Sequence, residues 1–220
     1  MNLFCWHANK FKCCGITLCK VKNTAKGVRV YLLGIPLCVV RTKLSQFFTE
    51  VKNNRDFDVR RFDAQISEMV AGQKTVKCRS DKHKIAFLAT ALYDMGGHTK
   101  CIRDLAMSLS DCYEEALFLT RMTETMKKAP ETVCVLKQYL TIINADISSW
   151  SFRKKVTAFA NNIIRYGMKT LLVYIHPDDV FGTAVLSLIK RMTSVKIIYF
   201  NHASHFPCLG MSFADIILEG

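Results

Sequence analysis

The chain has 220 residues, of which 50% are hydrophobic and 22% charged, a composition that predicts a folded core and excludes disordered, collagen-like and mucin-like proteins. Its net charge of +13 is concentrated at one end, because residues 1–84 carry 17 Lys and Arg against 6 Asp and Glu, whereas residues 85–220 carry 14 against 12. A basic segment of this kind indicates a polyanionic partner. An anionic membrane or glycan is favoured over nucleic acid, because no nucleic-acid-binding motif with interleaved aromatic residues is present.

The N-terminus and the longest apolar run indicate whether the protein is targeted to, or inserted into, a membrane. The first residues contain no extended apolar run of the kind that a signal peptide needs. The longest apolar stretch, residues 30–40, is interrupted by Gly34 and Pro36 and is too short to cross a bilayer. The sequence therefore predicts a cytoplasmic protein that contacts the inner face of the membrane peripherally through basic residues 10–43.

The ten cysteines are spread along the chain instead of forming a dense disulfide framework. Four of them fall in apolar stretches, which is typical of free thiols that pack in a core: Cys101, Cys112, Cys134 and Cys208. Their distribution favours a reducing compartment.

The first 83 residues are predicted to form a basic leader. The sequence GITLCKVK at residues 15–22 recurs as GIPLCVVR at residues 34–41, and both copies follow alternating basic and apolar residues. This repeat predicts a small β-hairpin element over residues 10–41. Two helices are expected over residues 44–71, at Leu44–Asn54 and Val59–Ala71, followed by a polar linker at residues 73–83.

Residues 84–220 alternate between strand-like and helix-like patterns. The continuous apolar run at residues 85–92 is typical of a buried parallel strand. Further strands are predicted at residues 116–120, 132–136, 171–175, 197–200 and 214–218, and helices with one apolar face follow residues 96, 151 and 180. This rhythm predicts a Rossmann-like, doubly wound α/β domain with a mostly parallel sheet.

Three motifs follow predicted strands, where open α/β sheets bind their ligands. The first is Gly96-Gly97-His98-Thr99, whose glycines allow a ligand to approach the backbone at a helix start. A plain turn without a ligand explains the same residues equally well, since the motif matches neither phosphate-binding fingerprint.

The second motif is His176-Pro177-Asp178-Asp179. It resembles the metal motif of zinc-dependent N-acetylglucosaminide deacetylases, but it follows a late strand and continues with Val180 where those enzymes have an acidic residue. We favour the interpretation that Pro177 starts the next helix and Asp178 caps it.

The third motif is Asn201-His202-Ala203-Ser204-His205. Its two histidines could bind a metal, act as a general base with a helper, or donate hydrogen bonds to sugar hydroxyls. Cysteines near the N-terminus have spacings that fit no standard zinc finger, and we assign no metal site.

Together the first and third motifs resemble the N-terminal half of GT-B type glycosyltransferases, particularly bacterial enzymes that act on cell-envelope glycans. The resemblance covers residues 84–220 and, more loosely, residues 1–43, where residues 33–37 are similar to leader repeats ahead of such domains. Its main matching residues are the Gly96-Gly97-His98-Thr99 loop with the helix after it, and the run from Tyr199 to Asp215. It implies transfer of a sugar from a nucleotide-sugar donor to a glycan or lipid-linked acceptor, with no other cofactor. His202 and His205 would be catalytic, and the substrate would be contacted by Gly96, Gly97, His98, Thr99 and Asn201.

In that family a second domain supplies most of the donor site. The resemblance therefore implies a truncated chain that is inactive alone or works with a partner. Two other functions stay open: a zinc deacetylase using His176, Asp179 and either His202 or His205, and a non-catalytic module whose basic hairpin docks on an anionic surface.

Overall fold

A computed structural model describes residues 4–7, 10–13, 16–24, 27–32, 35–40, 43–56, 58–144 and 151–219. The chain divides into two units, Met1–Asn54 and Arg55–Gly220. The sequence predicts that the leader ends at residue 83, whereas in the structure residues 55–83 belong to the α/β unit.

The first unit contains a five-stranded antiparallel sheet in which each strand pairs with the next along the chain. Its elements are β1 (Phe4–His7), β2 (Lys10–Cys13), β3 (Ile16–Thr24), β4 (Gly27–Leu32), β5 (Ile35–Val40) and helix α1 (Lys43–Asn53). The two copies of the sequence repeat supply β3 and β5, and β4 pairs with both. The expected hairpin is thus part of a larger sheet. The side chains of basic residues 10–43 lie outside the described part, so their membrane contact stays a prediction.

The second unit is built on six parallel strands with helices between them. Its elements are α2 (Arg60–Met69), β6 (Asp81–Ala89), α3 (Gly97–Leu109), β7 (Glu114–Leu119), α4 (Met122–Lys128), α5 (Pro130–Leu136), β8 (Thr141–Asn144), α6 (Phe152–Tyr166), β9 (Met168–Tyr174), α7 (Val180–Met192), β10 (Lys196–Asn201), a 3₁₀ turn (Met211–Phe213) and β11 (Ile216–Glu219). The strand order is β11-β10-β9-β6-β7-β8, and every neighbouring pair is parallel. Counted within this unit, that is the 3-2-1-4-5-6 order of Rossmann folds. The predicted fold class is confirmed.

Both faces of the sheet are covered, which explains the continuous apolar run in β6. Alternate residues of a strand point to opposite faces, and Phe87 packs in a core cluster with Ile102 of α3 and Leu136 of α5. On the opposite face, Phe118 of β7 meets Phe159 of α6, with ring centroids 5.9 Å apart.

Helix α2 belongs to this unit because it packs against α7 and is anchored by a buried carboxylate. Ile66 is fully buried, and Asp63 is 1% exposed. The Asp63 carboxylate accepts hydrogen bonds from the Gly210 N–H (2.8 Å) and the Ser212 hydroxyl (2.6 Å). Because these contacts hold α2 in the α/β unit, the boundary between the units lies at residue 54, before α2, and not at residue 83.

Two predictions from the sequence were wrong. Residues 132–136 form part of α5, because Pro130 starts a helix and Val133 and Leu136 are buried at helical spacing. The strand at this edge of the sheet is β8 instead. Among the four cysteines predicted to be buried only Cys208 is; the three exposed ones are Cys101, Cys112 and Cys134.

Candidate functional site: a histidine crevice at the carboxyl edge

The topology places a crevice where β6 and β9 lie side by side. The chain leaves β6 for α3 on one face of the sheet and leaves β9 for α7 on the other. Such a switch point opens a crevice outside the carboxyl ends of the two strands, where open α/β sheets bind ligands.

Three neighbouring strands each deliver a histidine to this edge. His98 lies in the first turn of α3 after β6, His176 follows β9, and His202 follows β10. The rings of His98 and His202 are stacked, with centroids 4.8 Å apart and planes inclined by 28°. We call the space beside His98, His176 and His202 the histidine crevice.

Backbone carbonyls determine which nitrogen of the stacked rings carries the proton. His98 Nε2 lies 3.1 Å from the Ala91 carbonyl oxygen, and His202 Nδ1 lies 3.3 Å from the Phe200 carbonyl oxygen. A carbonyl only accepts hydrogen bonds, so each of these nitrogens is the donor. In the neutral rings, Nδ1 of His98 and Nε2 of His202 therefore keep their lone pairs.

The surroundings favour these neutral forms. Burial lowers the pKa of His98, and the nearby His176 acts in the same direction. Burial also lowers the pKa of His202, and repulsion from His98 adds to the effect. Both rings are therefore uncharged at neutral pH and can accept a proton or a hydrogen bond.

His176 is held differently. Its Nδ1 lies 2.7 Å from Asp178 Oδ1, and its backbone N–H donates to the Thr90 hydroxyl over 2.7 Å. A carboxylate that accepts from Nδ1 orients an imidazole and leaves Nε2 as its basic nitrogen. The His176 side chain is 51% exposed, so this dyad borders the crevice.

Asp179 lies buried at the start of α7, three residues after His176. It caps α7 by accepting the Gly182 N–H at 2.9 Å, and it also accepts the hydroxyl protons of Thr90 and Thr120. The cap is thus Asp179, where we predicted Asp178. The carboxylate ties together the ends of β6, β7 and β9.

These contacts bear on the zinc deacetylase alternative. Asp179 is 2% exposed, and its carboxylate accepts hydrogen bonds from three protein donors. In the part of the chain that the structure describes, no group of three or more His, Cys, Asp or Glu side chains is arranged to hold a metal ion.

The two glycines of the loop differ in the space available for a side chain. A Cβ atom on Gly96 would lie 3.2 Å from Tyr93 Cβ, whereas a Cβ on Gly97 would meet nothing within 4 Å. Thr99 is buried, and its hydroxyl accepts the Tyr93 N–H at 2.9 Å. Thr99 therefore shapes the loop, and Gly97 offers open space beside the His98 backbone.

The remaining predicted residues lie in other surroundings. Asn201 is buried; its Nδ2 donates to Glu219 of β11 at 2.9 Å, and its Oδ1 accepts from the Cys208 thiol at 3.2 Å. His205 is exposed, and its ring lies against Phe206 at 4.4 Å between centroids. The ring that stacks on His202 is thus that of His98, where we paired His202 with His205.

Sequence reasoning missed a charged group next to the crevice. Arg121 lies two residues after the end of β7, and its guanidinium is 4.0 Å from Asp178 and 3.8 Å from Glu124. Glu124 in turn accepts the Tyr93 hydroxyl at 2.9 Å. A polar residue immediately after the apolar run of a predicted strand was the available signal, since such positions lie at the carboxyl edge.

The fold and the crevice define an α/β protein with Rossmann-like strand order. No family model matches the chain, and no curated protein shows significant similarity to it. Among the described residues, none of the helices has the length and apolarity needed to cross a membrane.

Proposed function

We propose that the unit Arg55–Gly220 is the acceptor-side domain of a GT-B type glycosyltransferase, with a nucleotide sugar as donor and a glycan or lipid-linked sugar as acceptor. The observation that carries the proposal is the stacked pair His98 and His202 at the switch point of a 3-2-1-4-5-6 sheet. Both histidines belong to the two motifs on which the expectation of that family rests.

The chemistry of the pair suits a sugar hydroxyl. A hydroxyl both donates and accepts hydrogen bonds, and it becomes nucleophilic when a neutral base takes its proton. His202 provides a lone pair on Nε2 and is kept neutral by burial and by His98. In this proposal His202 is the base, and His98 orients the acceptor through Nδ1.

The glycine loop supplies the second part of the binding surface. Gly97 leaves the backbone open at the start of α3, where N–H groups are free of helical partners. In the same proposal Asp179 acts indirectly, by fixing the strand ends on which the crevice is built.

Saccharide binding by the full chain is the direct test. Saturation-transfer NMR with neutral monosaccharides and short oligosaccharides detects weak contacts without requiring turnover. We expect signals for at least one saccharide with the natural protein and their loss in His202→Gln. The matched control is His83→Gln, because His83 is exposed at the amino end of β6.

Two outcomes would overturn the proposal. One is the absence of binding to every saccharide by folded protein, as judged from circular dichroism. The other is equal binding by His202→Gln and His83→Gln, which would place the sugar away from the histidine crevice.

A further inference from the structure

A pocket that we call the Arg121 pocket lies near His176, because Arg121 is 4.0 Å from Asp178, the partner of the His176 ring. It has a volume of about 440 Å³ and is lined by Arg121, Thr123, Glu124, Lys127 and Lys128. Three of these five residues are cationic and one is anionic, so the lining carries a formal charge of +2. It lies on the segment that follows β7, next to the carboxyl edge of the sheet.

The carboxylate inside the pocket already has close donors. Glu124 Oε1 accepts the Lys128 ammonium at 2.8 Å and the Tyr93 hydroxyl at 2.9 Å. Its pKa is lowered, chiefly by the hydrogen bond from Lys128, so it stays ionised and keeps Lys128 in place. Lys128 is also held over the Tyr93 ring, 4.7 Å from its centroid.

Arg121 is left with long contacts only. Its guanidinium lies 3.8 Å from Glu124 and 4.0 Å from Asp178, beyond hydrogen-bond distance in both cases. Each carboxylate has a closer partner, since Glu124 is bound by Lys128 and Asp178 lies 2.7 Å from the His176 ring. The planar set of guanidinium donors is therefore available to a further anion.

Lys127 adds a second cation. It is exposed and lines the same pocket, and it forms no ion pair with any residue that the structure describes. A guanidinium binds phosphate through two parallel hydrogen bonds, and a flexible ammonium adds a point charge.

We infer that the Arg121 pocket binds the phosphate group of a phosphorylated ligand, with Arg121 as the two-pronged donor and Lys127 as the supporting cation. The contact between Arg121 and Asp178 places this phosphate beside the dyad of His176 and Asp178. The link to the histidine crevice rests on the proposed function: the phosphate is then part of a sugar ligand, either the diphosphate of the donor or a phosphate on the acceptor.

The first test uses the phosphate group alone. Titration calorimetry of the full chain with pyrophosphate is expected to show binding that weakens as salt is added. Arg121→Gln should weaken it at least tenfold and Lys127→Gln several-fold. The control Arg103→Gln removes a cation that pairs with Asp104 on α3, and it should change the affinity less than twofold.

The source of the phosphate is separated by two further probes. Stronger binding of uridine diphosphate than of glucose 1-phosphate assigns the pocket to the donor, and the reverse order assigns it to a phosphorylated acceptor. Absence of pyrophosphate binding overturns the inference, as does equal affinity in Arg121→Gln and Arg103→Gln.

The test remains distinct from that of the proposed function. Neutral saccharide binding should persist in Arg121→Gln and be lost in His202→Gln, whereas pyrophosphate binding should follow the opposite pattern. Circular dichroism checks that Arg121→Gln and His202→Gln are folded. If Arg121→Gln is unfolded, Lys127→Gln replaces it in this comparison, because Lys127 is exposed and its substitution should not disturb the fold.

Discussion

Asp63 and Gly210 are joined by a hydrogen bond of 2.8 Å between the carboxylate of one and the backbone N–H of the other. One residue lies on the helix before the sheet and the other in the loop after β10. Gly210 has a φ of 87°, a left-handed conformation that glycine adopts without strain. The bond therefore anchors an irregular loop to α2.

Replacing Asp63 should destabilise this unit. Asp63→Ala removes the acceptor of Gly210 and Ser212, and a buried donor without a partner costs about 1–3 kcal/mol. We expect the free energy of unfolding to fall by about 2–4 kcal/mol in urea titrations followed by circular dichroism. Asp58→Ala removes an exposed carboxylate paired with Arg60 and should leave the midpoint unchanged. Equal midpoints for the two variants would contradict the anchoring role.

Asp179 should be needed for the stability of this unit. Asp179→Ala uncaps α7 and removes the carboxylate that accepts from the Thr90 and Thr120 hydroxyls, for an expected loss of about 3 kcal/mol. Thr120→Val removes one of these bonds and should cost about 1 kcal/mol. Urea unfolding measures both changes. A milder effect in Asp179→Ala than in Thr120→Val would show that the carboxylate does not hold the strand ends.

Glu115 should make stability fall with rising pH. It lies across from Ile85 at the start of β7, and both of its buried oxygens lack a hydrogen-bond partner among the described residues. Burial raises the pKa of its carboxyl from 4.5 to about 7. Between these values the folded protein retains a proton that the unfolded chain releases, so stability decreases as pH rises, by about 3 kcal/mol in total.

Glu115→Gln isolates this contribution, because glutamine has nearly the same shape and does not titrate. The difference in unfolding free energy between the natural protein and Glu115→Gln should shift in favour of the variant from pH 5 to pH 8. A difference that stays constant with pH would show that Glu115 does not titrate in this range.

The stacked histidines should influence each other's titration. Part of the lowering of the His202 pKa comes from His98, so His98→Asn should move the His202 pKa upward towards 6.5. NMR titration of the ring protons measures the pKa of His202 in the natural protein and in the variant. His83→Asn should have no effect, and an unchanged His202 pKa in His98→Asn would mean that the two rings are not electrostatically coupled.

The two glycines of the loop should respond differently to alanine. Gly96→Ala places a methyl group 3.2 Å from both Cβ and the carbonyl oxygen of Tyr93 and should lower the melting temperature. Gly97→Ala meets no atom within 4 Å, and alanine restricts the unfolded chain more than glycine does, so stability should be maintained or raised. Saccharide binding should nevertheless weaken in Gly97→Ala if the ligand approaches this backbone. Equal melting temperatures for the two variants would contradict the assigned packing.

The alternation of apolar strands and amphipathic helices was sufficient to predict the Rossmann-like sheet, because strands buried on both faces leave continuous runs such as residues 85–92. It failed at residues 132–136, where one short apolar segment fits a strand or a helix. It also failed at β8, which has only four residues, two of them exposed and two half-buried. The boundary near Asn54 depends on Asp63 meeting Gly210, a contact without a local signal.

The site was predicted in pieces. Each motif was correctly placed after a strand, but pairing His202 with His98 requires the order of β10, β9 and β6 in the sheet, which the sequence does not contain. Arg121 was missed because a single basic residue after a strand is common. Asn201 was expected to contact the substrate because it is polar and ends a strand; it is buried, and its amide donates a hydrogen bond to Glu219 of β11.

The order of strands also determines when the histidine crevice can form during folding. β6 pairs with β9 through contacts such as Ile85 with Thr170, so a long stretch of chain must be brought together before His98 and His202 can meet. Local helices cannot assemble any part of this crevice on their own. Ligand binding should therefore require a completed central sheet. In a refolding experiment, we expect binding to recover after most of the helical circular dichroism signal has returned.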